Sequence, residues 1–351
     1  MAVYRQKSRL LDFDALKCLR GDYYHNDCTE CVDICPEEAF VIERGKLSLE
    51  EKECTSCGIC VGVCPTEAVT VEFFDPTAYV ESRLSEETLY LSCKEGIPCL
   101  SVFAVEHFIS MGLEKKSVVC DLSGCAECEM NTGSKVLDSI KERIEKSKGF
   151  LEAVGTEYEI QIRDSFDPKA SRREFFKKLV HKFSVSNRTR NDSSYVNRPE
   201  APSKTRLLRD SLKRSREKIK NSVIKSEDAR FISFKSIDKD LCTNCADCIK
   251  FCPTQALFHS GDTLSIMFRA GDCIACGICN RICQPKALSE REEIDLIEFA
   301  YERNKELVRH ELKICKECKT PFVYRGDEIC DRCKDFVSKF SDIFKLASDL
   351  K

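Results

Sequence analysis

The stretch Cys273-Ile-Ala-Cys276-Gly-Ile-Cys279-Asn-Arg-Ile-Cys283 decides the reading, together with Cys242-Thr-Asn-Cys245-Ala-Asp-Cys248-Ile-Lys-Phe-Cys252-Pro253 upstream of it. Both runs carry the spacing C-x2-C-x2-C-x3-C. Three thiolates on one tight loop can hold three corners of a cubane. The fourth, a helical turn further on, points away from that loop and suits a second cluster. Two runs that exchange their fourth cysteines make a two-cluster module, and eight cysteines in this register are not a chance arrangement.

The pair resembles the bacterial two-4Fe-4S ferredoxin family. That resemblance implies one cluster on Cys242, Cys245, Cys248 and Cys283, and another on Cys273, Cys276, Cys279 and Cys252. Gln284 stands where the family usually has proline, with Pro285 one place later; this touches the exit turn and removes no ligand. A zinc knuckle fits poorly, because zinc sites use two Cys-x2-Cys hooks rather than runs of three and a displaced fourth.

A related pair lies near the N-terminus. Cys54-Thr-Ser-Cys57-Gly-Ile-Cys60-Val-Gly-Val-Cys64-Pro65 keeps the full pattern, whereas Cys28-Thr-Glu-Cys31-Val-Asp-Ile-Cys35-Pro36 lacks its first cysteine. Cys18 is the nearest candidate, and since loop insertions are thermodynamically cheap it can close the site across Leu19–Asp27. The resemblance assigns Cys54, Cys57, Cys60 and Cys35 to one cluster, and Cys28, Cys31, Cys64 and Cys18 to the other. The alternative is an ordinary buried thiol at Cys18 and a three-iron cluster, or none, at that site. Ala39–Ile42 and Ala68–Val71 read as short strands that pack over the clusters.

With 351 residues the chain has room for two or three domains. Its 25 cysteines accompany only five histidines. Their spacings are ligand spacings, so the thiols are expected to stay reduced in the cytoplasm. No signal-peptide pattern opens the sequence, and no run reaches the ~20 apolar residues of a membrane span. Net charge is −3, but residues 165–235 carry 20 Lys/Arg against 8 Asp/Glu, a local +12 that leaves −15 for the rest. This tract has reason to lie against an acidic surface.

Between the modules, Thr88–Ser92, Lys116–Val119 and Glu157–Ile162 read as strands alternating with helices over Leu100–Met111 and Ser134–Lys148, which implies a small parallel α/β unit. Cys93 and Cys99 follow its first strand; Cys120, Cys125 and Cys128 end or follow the second. Ligands gather at such carboxyl ends. In layout alone this resembles the small cysteine-bearing subunits and domains that pass electrons between hydrogenases or dehydrogenases and other iron–sulfur proteins. Cys93, Cys99, Cys125 and Cys128 offer four thiolates for a further iron–sulfur cluster, a zinc ion or a redox-active dithiol, which ligand type alone does not separate. Cys120 is as readily a buried thiol as a ligand.

In the basic tract, Phe175/Phe176, Leu179/Val180 and Phe183 fall at helical spacing, Asn187–Lys204 reads as a flexible link, and a second basic helix is expected over Leu207–Ile224. Such helices serve as a tether docking on the acidic modules, as a partner-docking arm, or as a contact to nucleic acid or an anionic surface. In the tail, Cys315-Lys-Glu-Cys318 and Cys330-Asp-Arg-Cys333 are two hooks separated by 11 residues. They resemble a zinc ribbon and suit one structural zinc, with a rubredoxin-like single iron as the alternative. An acidic helix over Glu290–Leu312 and the stripe Phe336, Phe340, Ile343, Phe344, Ala347 are expected to pack around it.

The fold class expected is α+β and multidomain. It comprises a ferredoxin-like dicluster module over 10–75, a small α/β cysteine-bearing domain over 86–165, a basic, partly helical linker over 166–235, a second dicluster module over 236–290, and a helix with a zinc-ribbon-like tail over 291–351. The function this implies is electron transfer through four 4Fe-4S clusters, with a fifth at the middle cysteines, to or from a redox enzyme or another iron–sulfur subunit. Two other classes remain: an iron–sulfur redox sensor binding nucleic acid through the basic tract and zinc ribbon, and an oxidoreductase with thiol–disulfide chemistry at Cys93 or Cys125. Salt-dependent nucleic-acid affinity distinguishes the first.

Overall fold

Leu11 and Phe13 are buried while Asp12 and Asp14, alternating with them, are half-buried, the period-two pattern of a strand covered on one face. A computed structural model describes residues 5–8, 10–22, 26–115, 117–164 and 201–340, and the chain divides into two compact units, Met1–Ser222 and Val223–Lys351.

In the first unit, strand β1 (Arg5–Ser8) pairs antiparallel with β2 (Leu11–Asp14). Helices α1 (Leu19–Asp22) and α2 (Glu30–Ile34) follow, then the hairpin of β3 (Phe40–Glu43) and β4 (Lys46–Leu49). Helix α3 (Ile59–Val63) leads to β5 (Val69–Val71), which closes the sheet in the order β1-β2-β5. The two cysteine runs are thus pseudo-symmetric, each ending in a short helix and a strand. Phe13 and Phe40 meet edge to face at 5.9 Å in the core between the halves.

Helix α4 (Pro76–Ser82), whose N-cap Asp75 accepts from the amides of Thr77 and Ala78, leads into the α/β part. Strands β6 (Thr88–Leu91), β7 (Ser117–Asp121) and β8 (Ile160–Arg163) form a parallel sheet in that order, with α5 (Val105–Glu114) and α6 (Lys135–Ala153) as crossovers. The helix expected over Leu100–Met111 is two pieces. Leu100–Val102 is a 3-10 turn and α5 begins at Val105, because Ala104 is extended and its amide donates to His107 Nδ1 at 2.9 Å.

Helix α7 (Ser203–Arg214) packs on α5 through Leu207, Leu208 and Leu212. It stops ten residues short of the expected Ile224. The Ser215 hydroxyl and Lys218 Nζ both donate to the Leu113 carbonyl at the end of α5, and the amides of Lys220 and Asn221 donate to Val154. Capping a neighbour's C-terminus with a cation is favourable and draws the chain out of its helix. The stripe at Phe175, Phe176, Leu179, Val180 and Phe183 lies outside the described residues, as does most of the link after it.

The second unit contains β9 (Val223–Lys225), β10 (Lys235–Ile237), α8 (Asp247–Lys250), β11 (Leu257–His259), β12 (Ser265–Arg269), α9 (Ile278–Ile282), β13 (Leu288–Glu290) and β14 (Glu293–Asp295). After these come α10 (Leu296–Ala300), β15 (Asn304–Arg309), β16 (Leu312–Ile314), β17 (Pro321–Val323) and α11 (Asp331–Phe340). β10 pairs with β13, β9 with β14, β16 with β17, and β12 lies between β11 and β15. The acidic helix expected over Glu290–Leu312 is therefore mostly strand. Asp295 caps one short helix, Glu302 turns left-handed at φ 51°, and the chain then pairs with β12. Phe336 and Phe340 of α11 meet in a tilted pair at 5.1 Å, half-exposed, and line one cavity with Cys318, Cys330 and Cys333; Ile343, Phe344 and Ala347 lie outside the described residues.

Candidate metal centres

The full cysteine runs share one backbone path. Counting from the first cysteine of each, the second and fourth residues on are left-handed: Ser56 and Gly58, Asn244 and Ala246, Ala275 and Gly277. Left-handed backbone is uncommon for residues other than glycine and collects at functional sites. Here it turns amide N–H groups toward the sulfurs, an anion-cradling nest. Ser56 N donates to Cys54 Sγ at 3.4 Å. Cys57 accepts from the Ile59 amide, Cys242 from Asn244, Cys273 from Ala275 and Cys276 from Ile278.

The fourth cysteines repeat a second device. Glu38, Glu67, Gln255 and Lys286, three residues after Cys35, Cys64, Cys252 and Cys283, are all left-handed, with φ of 53°, 53°, 52° and 54°. Each precedes a buried alanine. The amides of Ala39 and Ala68 donate to Cys35 Sγ and Cys64 Sγ at 3.4 and 3.2 Å.

These paths sort the thiols into quartets. In the second unit Cys242, Cys245, Cys248 and Cys283 line one cavity; Cys252, Cys273, Cys276 and Cys279 line another, each about 340 Å³ with its open mouth. In the first unit Cys18, Cys28, Cys31 and Cys64 act on one another electrostatically; Cys35, Cys54 and Cys57 act on Cys60, and Cys31 reaches Cys60 from the neighbouring group. Cys18 therefore stands beside Cys28 and Cys64 despite its displaced position. Arg20 Nε donates to the Cys28 carbonyl at 2.7 Å and Asn26 Oδ1 accepts from the Cys28 amide at 2.7 Å, so described residues on both sides of the insertion hold the Cys28 backbone. His25, at the register position of the missing cysteine, lies outside the described residues.

Burial first and the neighbouring thiols after it push these groups up, Cys28 to about 11 and Cys248 to about 12. Four sulfurs that resist ionising side by side call for cations among them. An iron cubane meets that need, and the donor set and amide cradle fit it.

The tail quartet is tighter. Cys315 and Cys333 Sγ are 3.8 Å apart, Cys318 and Cys330 Sγ 3.8 Å, and all four sulfurs lie within 4.8 Å of one another. A tetrahedral ion with bonds of about 2.3 Å has sulfur–sulfur edges of about 3.8 Å. Among the described residues this is the one group of three or more His, Cys, Asp or Glu ligand atoms drawn so close. Burial pushes Cys315 up, but the amides of Cys330, Cys318 and Glu317 outweigh it and hold the thiol down at about 6. Arg325 Nη2 donates to the Cys242 carbonyl at 2.7 Å, tying the ribbon to a cysteine loop.

In the α/β part, Cys93, Cys99, Cys125 and Cys128 come together after β6 and β7, and act on one another. Cys93 and Cys128 are exposed and the other two half-buried. Asp121, at the end of β7, accepts from Tyr90, Ser92 and Ser123 and shapes the rim. Cys120 is fully buried in β7 and pushed up to about 12 by burial, with none of the quartet among the groups acting on it.

Motif reading missed the cations near the thiols. Lys235 is 2% exposed; Cys279 and Cys273 act on it, and it pairs with Glu290 at 2.5 Å. Arg143 sits on the buried face of α6 among Val136, Ile140 and Ile144. Its charge on an apolar helical face was the available signal.

The sequence model of a 4Fe-4S dicluster domain matches residues 26–69, and a second model of the same description matches residues 234–285. The matches and the quartets define an iron–sulfur protein with two dicluster domains, a ferredoxin-like electron carrier. Over 60 residues, 16% of its length, the chain is 51% identical to an uncharacterized ferredoxin of Methanocaldococcus jannaschii and covers 95% of it; the chain belongs to the ferredoxin family. Over 61 residues it is 30% identical to the pyruvate synthase subunit PorD of Thermotoga maritima, an alignment spanning 17% of this chain and 61% of that subunit. No helix among the described residues is long and apolar enough to cross a membrane.

Proposed function

We propose that the chain relays single electrons between a redox enzyme and a second iron–sulfur carrier in the cytoplasm, using four 4Fe-4S clusters in the modules, a fifth at Cys93, Cys99, Cys125 and Cys128, and a structural zinc at Cys315, Cys318, Cys330 and Cys333. What supports this is that Cys242, Cys245, Cys248 and Cys283 line one cavity and Cys252, Cys273, Cys276 and Cys279 another, while Cys64 acts on Cys18, Cys28 and Cys31 and Cys35 acts on Cys57 and Cys60, in each case three cysteines of one run with the fourth of its partner. No two of the 25 cysteines are joined in a disulfide, which leaves their sulfurs available as metal ligands.

Bound clusters supply reversible one-electron chemistry. The chain's own groups hold and tune them: the amides aimed at the sulfurs stabilise negative charge, and burial excludes water. The exposed Cys93 and Cys128 make the middle quartet the face at which an external donor or acceptor approaches. The PorD likeness supports a pyruvate synthase-type enzyme as that donor. Mixing the reduced enzyme, stripped of its own ferredoxin subunit, with the oxidised chain should bleach the chain's visible absorption within turnover time. Bleaching by dithionite but not by the enzyme would overturn this partner class.

A further inference from the structure

Arg143 is 4% exposed. Its Nη1 donates to the carbonyls of Ser101 at 2.6 Å and Phe103 at 2.8 Å; Nη2 reaches the Ile59 carbonyl at 3.5 Å, and Nε and Nη2 donate to Ser139 Oγ at 3.2 and 2.7 Å. Every acceptor is neutral. A buried guanidinium with no anion beside it is expensive, and such charges are ordinarily paired. Burial pulls Arg143 down to about 10, and the groups opposing that are first the sulfurs of Cys99 and Cys60, once they carry charge, then Glu142 and Glu106.

The geometry explains the order. Ile59, next to Cys60, opens α3; Ser101 follows Cys99 by two residues, and the Ser101 hydroxyl donates to the Cys57 carbonyl at 2.8 Å. Cys99 acts on Cys57 in turn. The guanidinium therefore sits where the loop bearing Cys57 and Cys60 meets the loop bearing Cys99. Gly62 completes its cradle: a Cβ there would lie 1.7 Å from Arg143 Nη1 and 2.5 Å from the Ser101 carbonyl. The chain keeps a gap for this charge.

We propose that Arg143 is the shared buried countercharge of two iron–sulfur centres, one on Cys35, Cys54, Cys57 and Cys60 and the other on Cys93, Cys99, Cys125 and Cys128, and that it raises the reduction potential of both. This rests on the reading that the middle quartet holds a cluster. A cubane held by four thiolates is net negative and more so when reduced, so a fixed cation in a low-dielectric site favours the reduced form. Arg143 is a positioning and tuning residue; it carries no electron.

The test is an EPR-monitored redox titration of the full, anaerobically loaded chain and of Arg143→Gln, Arg143→Met and Arg143→Lys. The neutral variants should lose at least tenfold in the reduction equilibrium of both centres, about 59 mV for one electron. The Lys variant should match the parent, and the clusters of residues 242–283 should stay put as an internal control. A neutral variant with full iron and unshifted potentials overturns the inference. Should neither neutral variant load iron, the Lys variant decides: unchanged potentials support the charge, and a negative shift despite retained charge overturns it. A Cys99→Ser, Cys128→Ser double variant separates the underlying reading. Loss of about four iron confirms a middle cluster, and full iron sinks that reading whatever Arg143 does.

Discussion

Lys204 Nζ donates a 3.0 Å hydrogen bond to the carbonyl oxygen of Cys64, a residue 140 positions earlier. The same ammonium lies 3.4 Å from Glu106, and Glu67 accepts from Ser203 N, Ser203 Oγ and Lys204 N at 2.9, 2.8 and 3.0 Å. The first turn of α7 therefore clamps the left-handed turn that follows a cluster cysteine. With Lys204 and Arg209 buried, this helix acts as a brace and withholds those cations from any phosphate backbone.

Lys204→Met leaves the Glu106 carboxylate buried without its cation. Removing one partner of a buried pair costs about 3 kcal/mol or more. Denaturant unfolding under anaerobic conditions should show that loss, and air-induced bleaching of the loaded chain should accelerate.

His107 gives the first unit a pH dependence. Burial holds its imidazole neutral and lowers its pKa from 6.5 to about 3, with Lys204 and Arg143 pushing the same way against Glu67. Nδ1 accepts from the Ala104 amide, so Nε2 carries the proton toward Thr77 Oγ1 at 3.0 Å. A pKa lower in the folded than in the unfolded state means stability that is present above 6.5 and lost as pH falls toward 3. Denaturant midpoints should show a loss of about 1 kcal/mol at one unit below 6.5. His107→Asn, which keeps an acceptor near Ala104, should flatten that limb.

Cys18→Ser should remove one cluster or reduce it to a three-iron form, lowering iron by up to about four per chain. His25→Ala should leave iron unchanged. Iron retained in the serine variant and lost in the alanine variant would move the ligand from Cys18 to His25.

Cys330→Ser should abolish zinc binding and leave iron intact. Because Arg325 ties the ribbon to the Cys242 carbonyl, the module over 242–283 should then unfold at lower denaturant. Metal analysis and unfolding of the same sample check both.

Both dicluster modules were legible because cysteine spacing encodes ligand geometry directly. The parallel sheet was legible because Thr88–Leu91 and Ser117–Asp121 alternate with amphipathic helices. Glu290–Leu312 misled because it holds charged residues at helical and strand spacing alike, and pairing with β12, a tertiary event, settled it. Left-handed Ala246 and Ala275 carry no local signal, since nothing in an alanine announces φ of 63° or 53°. Arg143 and Lys204 were invisible to motif reading because the contacts that tie them to the cysteine loops run to backbone carbonyls more than 39 residues away.

The central claim is tested most directly by the iron, sulfide and zinc content of the anaerobically purified chain. Four cubanes in the modules, a fifth at the middle quartet and one ion in the tail predict about 20 iron, as much sulfide, and one zinc. About 16 iron would remove the middle centre alone, and about eight would contradict the account of two complete dicluster modules.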